Sequence, residues 1–425
     1  MAQKKKSCIL HFGTAKTGTT ALQFGLADYD DGKTVFARLP TSPDNPNHSE
    51  PLVLAGFGED GIGECAALFP RWNASPDKLR WPNSIPMKFM QRTGETPNAR
   101  AFREGLEASI ANVPHERLIF SGEGLFPNHG CAAGLIAMLR DSFEQIEGVC
   151  YLRACPGAFL SRFQQRLTAS HPALFFSASL REDLNQLIYN DAKFLKLWKE
   201  ALKGEPLTTA IYDRQDMKNG DIVDDFCDRL GLDVNRAKRI RTNVSFSAEA
   251  AAAVATLSYF GSAPADAPHF ERNKRFLNVL MYQFGKGKLA LSEAFANRLH
   301  AANEEALDWV DRECGRAFTR ERGRGDYVID RHEDLLDICQ DLLPELLDFL
   351  KRAAGLKLGR RARDVRGFAR ILSQQLCERD PFKKRQLPQG FSAEQYMVLN
   401  PDIARTGTDP EQHFMMHGCF EGRFY

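Results

Sequence analysis

Near the start of the chain, Gly13-Thr14-Ala15-Lys16-Thr17-Gly18-Thr19-Thr20 gathers one cation, two glycines and four hydroxyls into eight residues. The residues before it, Ser7 to Phe12, are apolar and β-prone, and Ala21-Leu22-Gln23 after it opens a helix well. Strand, Gly/Thr-rich loop and helix in that order aim backbone N–H groups and the positive end of a helix dipole at an anion. The threonine hydroxyls add donors and Lys16 adds a full charge, so a phosphate-like group is the natural ligand. Two well-known phosphate loops do not fit. The nucleotide-triphosphatase loop needs Lys directly after its second Gly, where this chain has Thr19, with Lys16 inside the loop instead. The Gly-x-Gly-x-x-Gly of a dinucleotide fold is also absent here.

A second cation stands in Arg153-Ala154-Cys155-Pro156, with Ser161 eight residues past the Arg. Arg117 to Ser121 reads as a buried strand, and Leu135, Met138, Leu139, Phe143 and Ile146 recur at helical steps. Gly148 follows, then Val149 to Leu152 as another strand, which makes a βαβ unit and a parallel sheet. Open α/β sheets bind ligands at the carboxyl ends of their strands, so Arg153 is expected on the same edge as the Lys16 loop. Its planar donors suit phosphate oxygens, and Ser161 adds a hydroxyl.

The string His11-Phe12-Gly13-Thr14-Ala15-Lys16-Thr17-Gly18-Thr19-Thr20-Ala21-Leu22-Gln23 resembles the 5′-phosphosulfate loop of sulfotransferases that use 3′-phosphoadenosine-5′-phosphosulfate (PAPS). Arg153-x-x-Pro156 followed by Ser161 resembles that family's second signature. The resemblance implies an α/β fold, a P-loop-like parallel sheet flanked by helices, with a helical C-terminal half. It implies that Lys16 contacts the oxygen bridging phosphate and sulfate, that Thr17, Gly18, Thr19 and Thr20 hold the 5′-phosphate, and that Arg153 and Ser161 hold the 3′-phosphate. Tyr212-Asp213-Arg214-Gln215-Asp216-Met217 and the Phe226 to Gly231 stretch are similar to later family segments, with Gly231 as a helix cap. Arg239 and Arg241 fall near the family's last cofactor loop, with a solvated basic turn as the alternative.

Sulfuryl transfer must stabilise the leaving phosphate and remove the acceptor's proton. Lys16 and the loop N–H groups serve the first need without a metal. The second calls for a His or carboxylate titrating near neutrality. His48, in a polar, Pro-rich loop after the first helix, is ranked slightly first. Heparan-type and tyrosyl-protein sulfotransferases place a Glu in the corresponding region, so His48 is a departure. Glu123, in Ser121-Gly122-Glu123-Gly124 at a strand end, is the second candidate. Its other reading is a carboxylate that positions Lys16 or the acceptor. His413 and His417, four apart, lack a third ligand, and no metal site is expected.

The elements that must position these groups lie in a chain of 425 residues with net charge +1, 43% hydrophobic and 26% charged. That length suggests two or three folded units, and the balanced charge argues against a nucleic-acid partner held by bulk charge. The ten cysteines form no Cys-x-x-Cys, which suits reduced thiols. The run after Lys4-Lys5-Lys6 is too short for a signal peptide, and no stretch approaches a membrane span. A cytoplasmic protein is expected. The expected organisation is a core over 1–245, a helical extension over 246–355, a basic segment over 356–387 and a small helical module over 388–425. Residues 51–98 read as a Pro-broken, irregular insertion whose Arg71-Trp72 and Arg80-Trp81 suit an acceptor platform or ordinary packing.

From Lys357 to Arg385, ten Lys and Arg face three acids, a net of +7, with an apolar stripe from Val365 to Leu376. It reads as a docked helix with a solvated basic face, or as a peripheral membrane contact. The last segment resembles a helical module appended to bacterial glycosyltransferases. The acceptor is therefore expected to be a hydroxyl of a bacterial glycan or glycolipid. The alternatives are a nucleotide kinase-like phosphoryl transferase and a non-catalytic nucleotide- or glycan-binding protein.

Overall fold

Lys5–Gly13 forms strand β1, buried without interruption from Cys8 onward, as its apolar run requires. The computed structural model describes residues 5–14, 16–39, 45–74, 84–167, 190–239, 247–260, 279–280, 283–359, 362–378, 387–388, 390–404 and 408–418. These residues divide into two units. The first holds 1–154, 189–242 and 305–319, and the second holds 155–188, 243–304 and 320–425.

In the first unit, β1 joins β2 (Thr34–Phe36), β3 (Arg117–Ser121), β4 (Phe143–Leu152) and β5 (Leu207–Ile211) in a five-stranded sheet of order β2-β3-β1-β4-β5. Every ladder is parallel. The fold class is therefore α/β, as the βαβ spacing predicts. Alternate β1 residues serve opposite faces. Ile9 packs with Leu22 and Leu26 of helix α1 (Thr19–Leu26) and with Phe226 of the helix Ile222–Leu230. On the other face, Phe12 stacks on Trp198 of the helix Asp191–Ala201 at 4.5 Å between ring centroids. Gly231 caps the Ile222–Leu230 helix at φ +63°, as expected.

The helix before β4 ends earlier than its spacing suggests. It spans Ala132–Ser142, and Phe143 and Ile146 belong to the strand. β1 offers ladder partners from Lys5 onward, and Phe143 lies opposite Lys5. Cross-strand pairing thus claims residues whose three-residue spacing also fits a helix.

The insertion after β2 is helical, contrary to the irregular reading. Helix α2 (Ser49–Ala74) breaks at Gly58, where φ is +63°. Helices α3 (Ile85–Thr93) and α4 (Ala99–Asn112) follow, the latter capped by Asn98 accepting the Ala101 N–H. α2 crosses the Ala132–Ser142 helix so closely that only glycine fits: a Cβ on Gly134 would meet the Gly56 carbonyl oxygen at 2.3 Å.

Residues 305–319 return to the first unit through the helix Glu304–Glu313, where Lys199 pairs with Glu313 and Lys196 lies over Trp309. The second unit is helical, with one feature its sequence pattern hides: a two-stranded parallel sheet of Leu289–Leu291 and Tyr327–Ile329. Its basic segment contains the helix Val365–Glu378, which buries Phe368, Ala369, Leu372 and Leu376. Arg363, Arg366 and Arg370 remain exposed, with Arg366 over Phe260 at 5.3 Å. The stripe is spent on packing inside the unit, as the docked-helix reading expects. Further along the second unit, Tyr396, Ile403 and Phe414 pack into a small cluster, and the Tyr396 hydroxyl meets His413 Nδ1 at 2.8 Å. Among the described residues, no helix is long and apolar enough to cross a membrane.

Gly134→Ala should lower unfolding stability by about 1–3 kcal/mol, the usual cost of overpacking, because a backbone carbonyl blocks the new methyl. Urea denaturation measures this, and an unchanged midpoint would refute the close crossing.

Candidate active site

The chain leaves β1 toward β2 on one side of the sheet and leaves β4 toward β5 on the other. Adjacent strands whose connections part in this way open a crevice beyond their carboxyl ends. The ends are nearly flush: His11 pairs with Ser121, Gly13 with Tyr151 and Leu152 with Ile211. Three further bonds carry the ladder just past them, from Gly122 N to His11 O, Thr14 N to Tyr151 O and Tyr212 N to Leu152 O. The residues that follow β3, β1, β4 and β5 are therefore neighbours: Glu123, the Lys16 loop, Arg153 and Tyr212.

The loop after β1 is closed from within. Thr17 is fully buried and its Oγ1 donates to the Thr14 carbonyl at 2.7 Å. The tight path forces Lys16 to φ +68°, a left-handed conformation rare for a residue with a Cβ, and Gly18 to φ +72°. Glycine is required at position 18, since a Cβ would meet Tyr212 Cε2 at 2.8 Å. Strain of this kind persists where surrounding contacts enforce it. α1 starts at Thr19 with no side chain capping it and no acid in its first turn. Its N–H groups and dipole are left for another acceptor. The hydroxyl oxygens of Thr14 and Thr19 are buried and have no partner among the described residues. Buried donors without partners are costly, and here two of them flank one loop. Thr20 is half-buried on the first turn of α1.

Arg153 comes to the same place. It is half-buried, and its Nη1 lies 3.5 Å from the Lys16 carbonyl oxygen. Burial pulls its pKa below the usual value, with Tyr212 and Asp213 opposing. A guanidinium stripped of water interacts strongly with an anion.

Glu123 opens a short 3₁₀ turn, Glu123–Leu125, between two glycines that have no room for side chains. A Cβ on Gly122 or Gly124 would press on Ser49 at the start of α2, and Ser49 Oγ accepts the Gly124 N–H at 2.9 Å. The Glu123 side chain is exposed, yet desolvation by surrounding protein raises its pKa, with Lys16 and Lys88 opposing. The carboxylate is accessible to solvent, and both lysines act on it through space. Lys88, which the sequence did not single out, acts on Glu123 from α3. Asn128 ties α3 to the Glu123 turn: its Oδ1 accepts the Ile85 N–H at 3.1 Å and its Nδ2 donates to the Gly124 carbonyl at 2.7 Å. A lone Lys on a helix carries no motif, so only tertiary structure brings it out.

His48 does not line the cleft. It is 2% exposed and packed against Phe36 and Phe120, and its Nδ1 accepts the Ser121 N–H at 3.1 Å. Burial pushes its pKa down to about 3, with a backbone bond at Ala37 opposing. A neutral core imidazole whose lone pair is already engaged cannot accept a substrate proton. The order of the two base candidates is reversed on this ground. Ser161 lies half-buried on the helix Cys155–Leu167 of the second unit. Arg239 is bidentate to Asp224, at 2.8 and 2.9 Å, and so is held as a structural ion pair. Arg241 and Trp81 lie outside the described residues, as does the side chain of Trp72. No group of three His, Cys, Asp or Glu able to hold a metal occurs among the described residues.

No family model matches the chain, and no curated protein does. Among solved structures, the sulfotransferase from Alicyclobacillus acidocaldarius is similar at 11% identity and a TM-score of 0.38, over 75% of this chain and 98% of that one. A likeness of that size carries no weight for activity. The site's chemistry rests on its own residues. They supply an uncapped helix start, unpartnered hydroxyls, two cations for an anion, and a carboxylate nearby.

His11 and His48 are both buried, with burial pushing each pKa from 6.5 to about 3. Below pH 6.5 the unfolded chain therefore binds protons that the folded chain refuses, and stability falls as pH drops toward 3. A His48→Asn variant should be less stable at pH 7 and decline less steeply across that window. Chemical denaturation at several pH values measures both, and an unchanged slope would contradict the buried, neutral imidazole.

Proposed function

We propose that the protein is a sulfotransferase that moves a sulfuryl group from PAPS to a hydroxyl of a glycan or glycolipid. The observation that carries this reading is the convergence of the Lys16 loop and Arg153 beside two unpartnered, buried threonine hydroxyls. In this reading the loop N–H groups, Thr14, Thr19 and Thr20 receive the 5′-phosphate, and Arg153 receives the 3′-phosphate. Ser161 joins Arg153 by the motif alone. Thr17 acts indirectly: its hydroxyl holds the loop closed and is not free for phosphate.

The reaction then runs in line. The acceptor hydroxyl gives its proton to Glu123 as its oxygen bonds to sulfur. The bond between sulfur and the bridging oxygen breaks, and that electron pair leaves with 3′,5′-adenosine diphosphate. Lys16 stabilises the charge gathering on the bridging oxygen. A carboxylate raised above its usual range by desolvation is a stronger base than an ordinary Glu. The strained turn at Lys16 fixes the side chain's starting direction, so little reorganisation is needed during transfer.

The reading is tested by release of 3′,5′-adenosine diphosphate from PAPS across a panel of polysaccharide acceptors. Glu123→Gln should lower kcat by about 10²–10⁴ while the KM for PAPS holds, the range for loss of a general base. Lys16→Ala should lower kcat by about 10²–10³. The wild-type rate should fall as pH drops through a pKa above the ordinary 4.5, because the base must be ionised. Full activity in Glu123→Gln would remove the carboxylate from the chemistry, and full activity in Lys16→Ala would remove the proposed site.

A further inference from the structure

Lys88 is a cation of this cleft that nothing in contact neutralises. Arg92, one turn further along α3, is bonded to Glu50 at 2.8 Å and lies over Phe89 at 5.5 Å. Lys88 makes no side-chain hydrogen bond or ion pair among the described residues, and Glu123 acts on it through space. Its place is nonetheless fixed. Asn128 bonds α3 to the Glu123 turn, and a Cβ on Gly124 would meet Ile85 Cδ1 at 2.7 Å, so the first turn of α3 sits against that loop.

The charge balance of the proposed reaction makes this isolation informative. Lys16 and Arg153 face the donor's phosphates, which leaves Glu123 as the negative charge that offsets Lys88. Glu123 loses its charge when it takes the acceptor's proton. Lys88 then loses the opposite charge that acts on it at the moment of transfer, and a fixed anion on the acceptor would replace it. A bound carboxylate or phosphate gives Lys88 a partner before and after proton transfer, and leaves the Glu123 oxygens to the hydroxyl.

We propose that Lys88 is the specificity residue of the acceptor subsite, and that the acceptor is an acidic glycan whose reacting sugar, or its neighbour, bears a carboxylate or phosphate. This inference rests on the sulfotransferase reading.

The experiment uses the full chain saturated with 3′,5′-adenosine diphosphate and titrated with three probes. These are methyl β-D-glucuronide, the 6-phosphate of methyl β-D-glucoside, and neutral methyl β-D-glucoside, with binding read by NMR. At least one anionic probe should bind about tenfold or more tighter than the neutral one, as one charge-assisted contact allows. Preference between carboxylate and phosphate then distinguishes a uronate from a phosphorylated sugar. Lys88→Met should erase the discrimination, Lys88→Arg should keep it, and both should bind 3′,5′-adenosine diphosphate as the wild type does. Equal binding of charged and neutral probes, absence of binding by all three, or discrimination that survives in Lys88→Met would overturn the inference. So would a loss of 3′,5′-adenosine diphosphate affinity in Lys88→Met, since that would place Lys88 on the donor. Failure of the wild type to bind 3′,5′-adenosine diphosphate would instead defeat the sulfotransferase reading itself.

Discussion

The candidate site exists because β1 lies between β3 and β4 with its carboxyl end nearly flush with theirs. That arrangement sets the loops carrying Glu123, Lys16 and Arg153 side by side, although they are far apart in the chain. The rest of the first unit supports it. α1 and the Ile222–Leu230 helix cover one face, Trp198 and the Ala132–Ser142 helix cover the other, and α2 and α3 brace the turn that carries Glu123. A parallel sheet buried on both faces tolerates little slippage, so the loops at its edge inherit its rigidity.

Within that frame, local chemistry decides what each residue can do. Two histidines near the sheet edge are core residues, because each is desolvated and already bonded: His11 to Ser121 Oγ and His48 to the Ser121 N–H. Two charged residues do the opposite. Glu123 and Lys88 are desolvated by their surroundings, yet exposed and free of direct bonds among the described residues. Burial of a neutral ring held by a hydrogen bond produces structure, and desolvation with unsatisfied charge leaves capacity for a ligand.

Much of this was legible in the residues. The Gly/Thr loop, the Arg after a strand and the βαβ spacing gave the sheet and the edge on which a ligand would sit. The place of Glu123 just past β3 is readable because it stands between glycines at a strand end. The core position of His48 is not legible, because burial does not show in a polar-looking stretch such as Asn47-His48-Ser49. Lys88 was invisible because it owes its position to an Asn128 contact from a distant segment. Phe143 and Ile146 were misplaced because their spacing fits two periods, and pairing with β1 chose the strand. The helices of residues 51–98 are hidden by prolines, although Pro51 and Pro86 fall in first helical turns and Pro70 lies inside α2.

The central claim is that the Lys16 loop and Arg153 grip a 3′-phosphorylated adenine nucleotide without a metal. Calorimetry of the full chain with 3′,5′-adenosine diphosphate, with adenosine 5′-monophosphate, and with ATP and magnesium tests it most directly. The account predicts that 3′,5′-adenosine diphosphate binds most tightly, that chelator leaves this unchanged, and that Arg153→Ala brings its affinity down to that of adenosine 5′-monophosphate. A preference for ATP with magnesium, or an Arg153→Ala variant that still favours the 3′-phosphate, would contradict it.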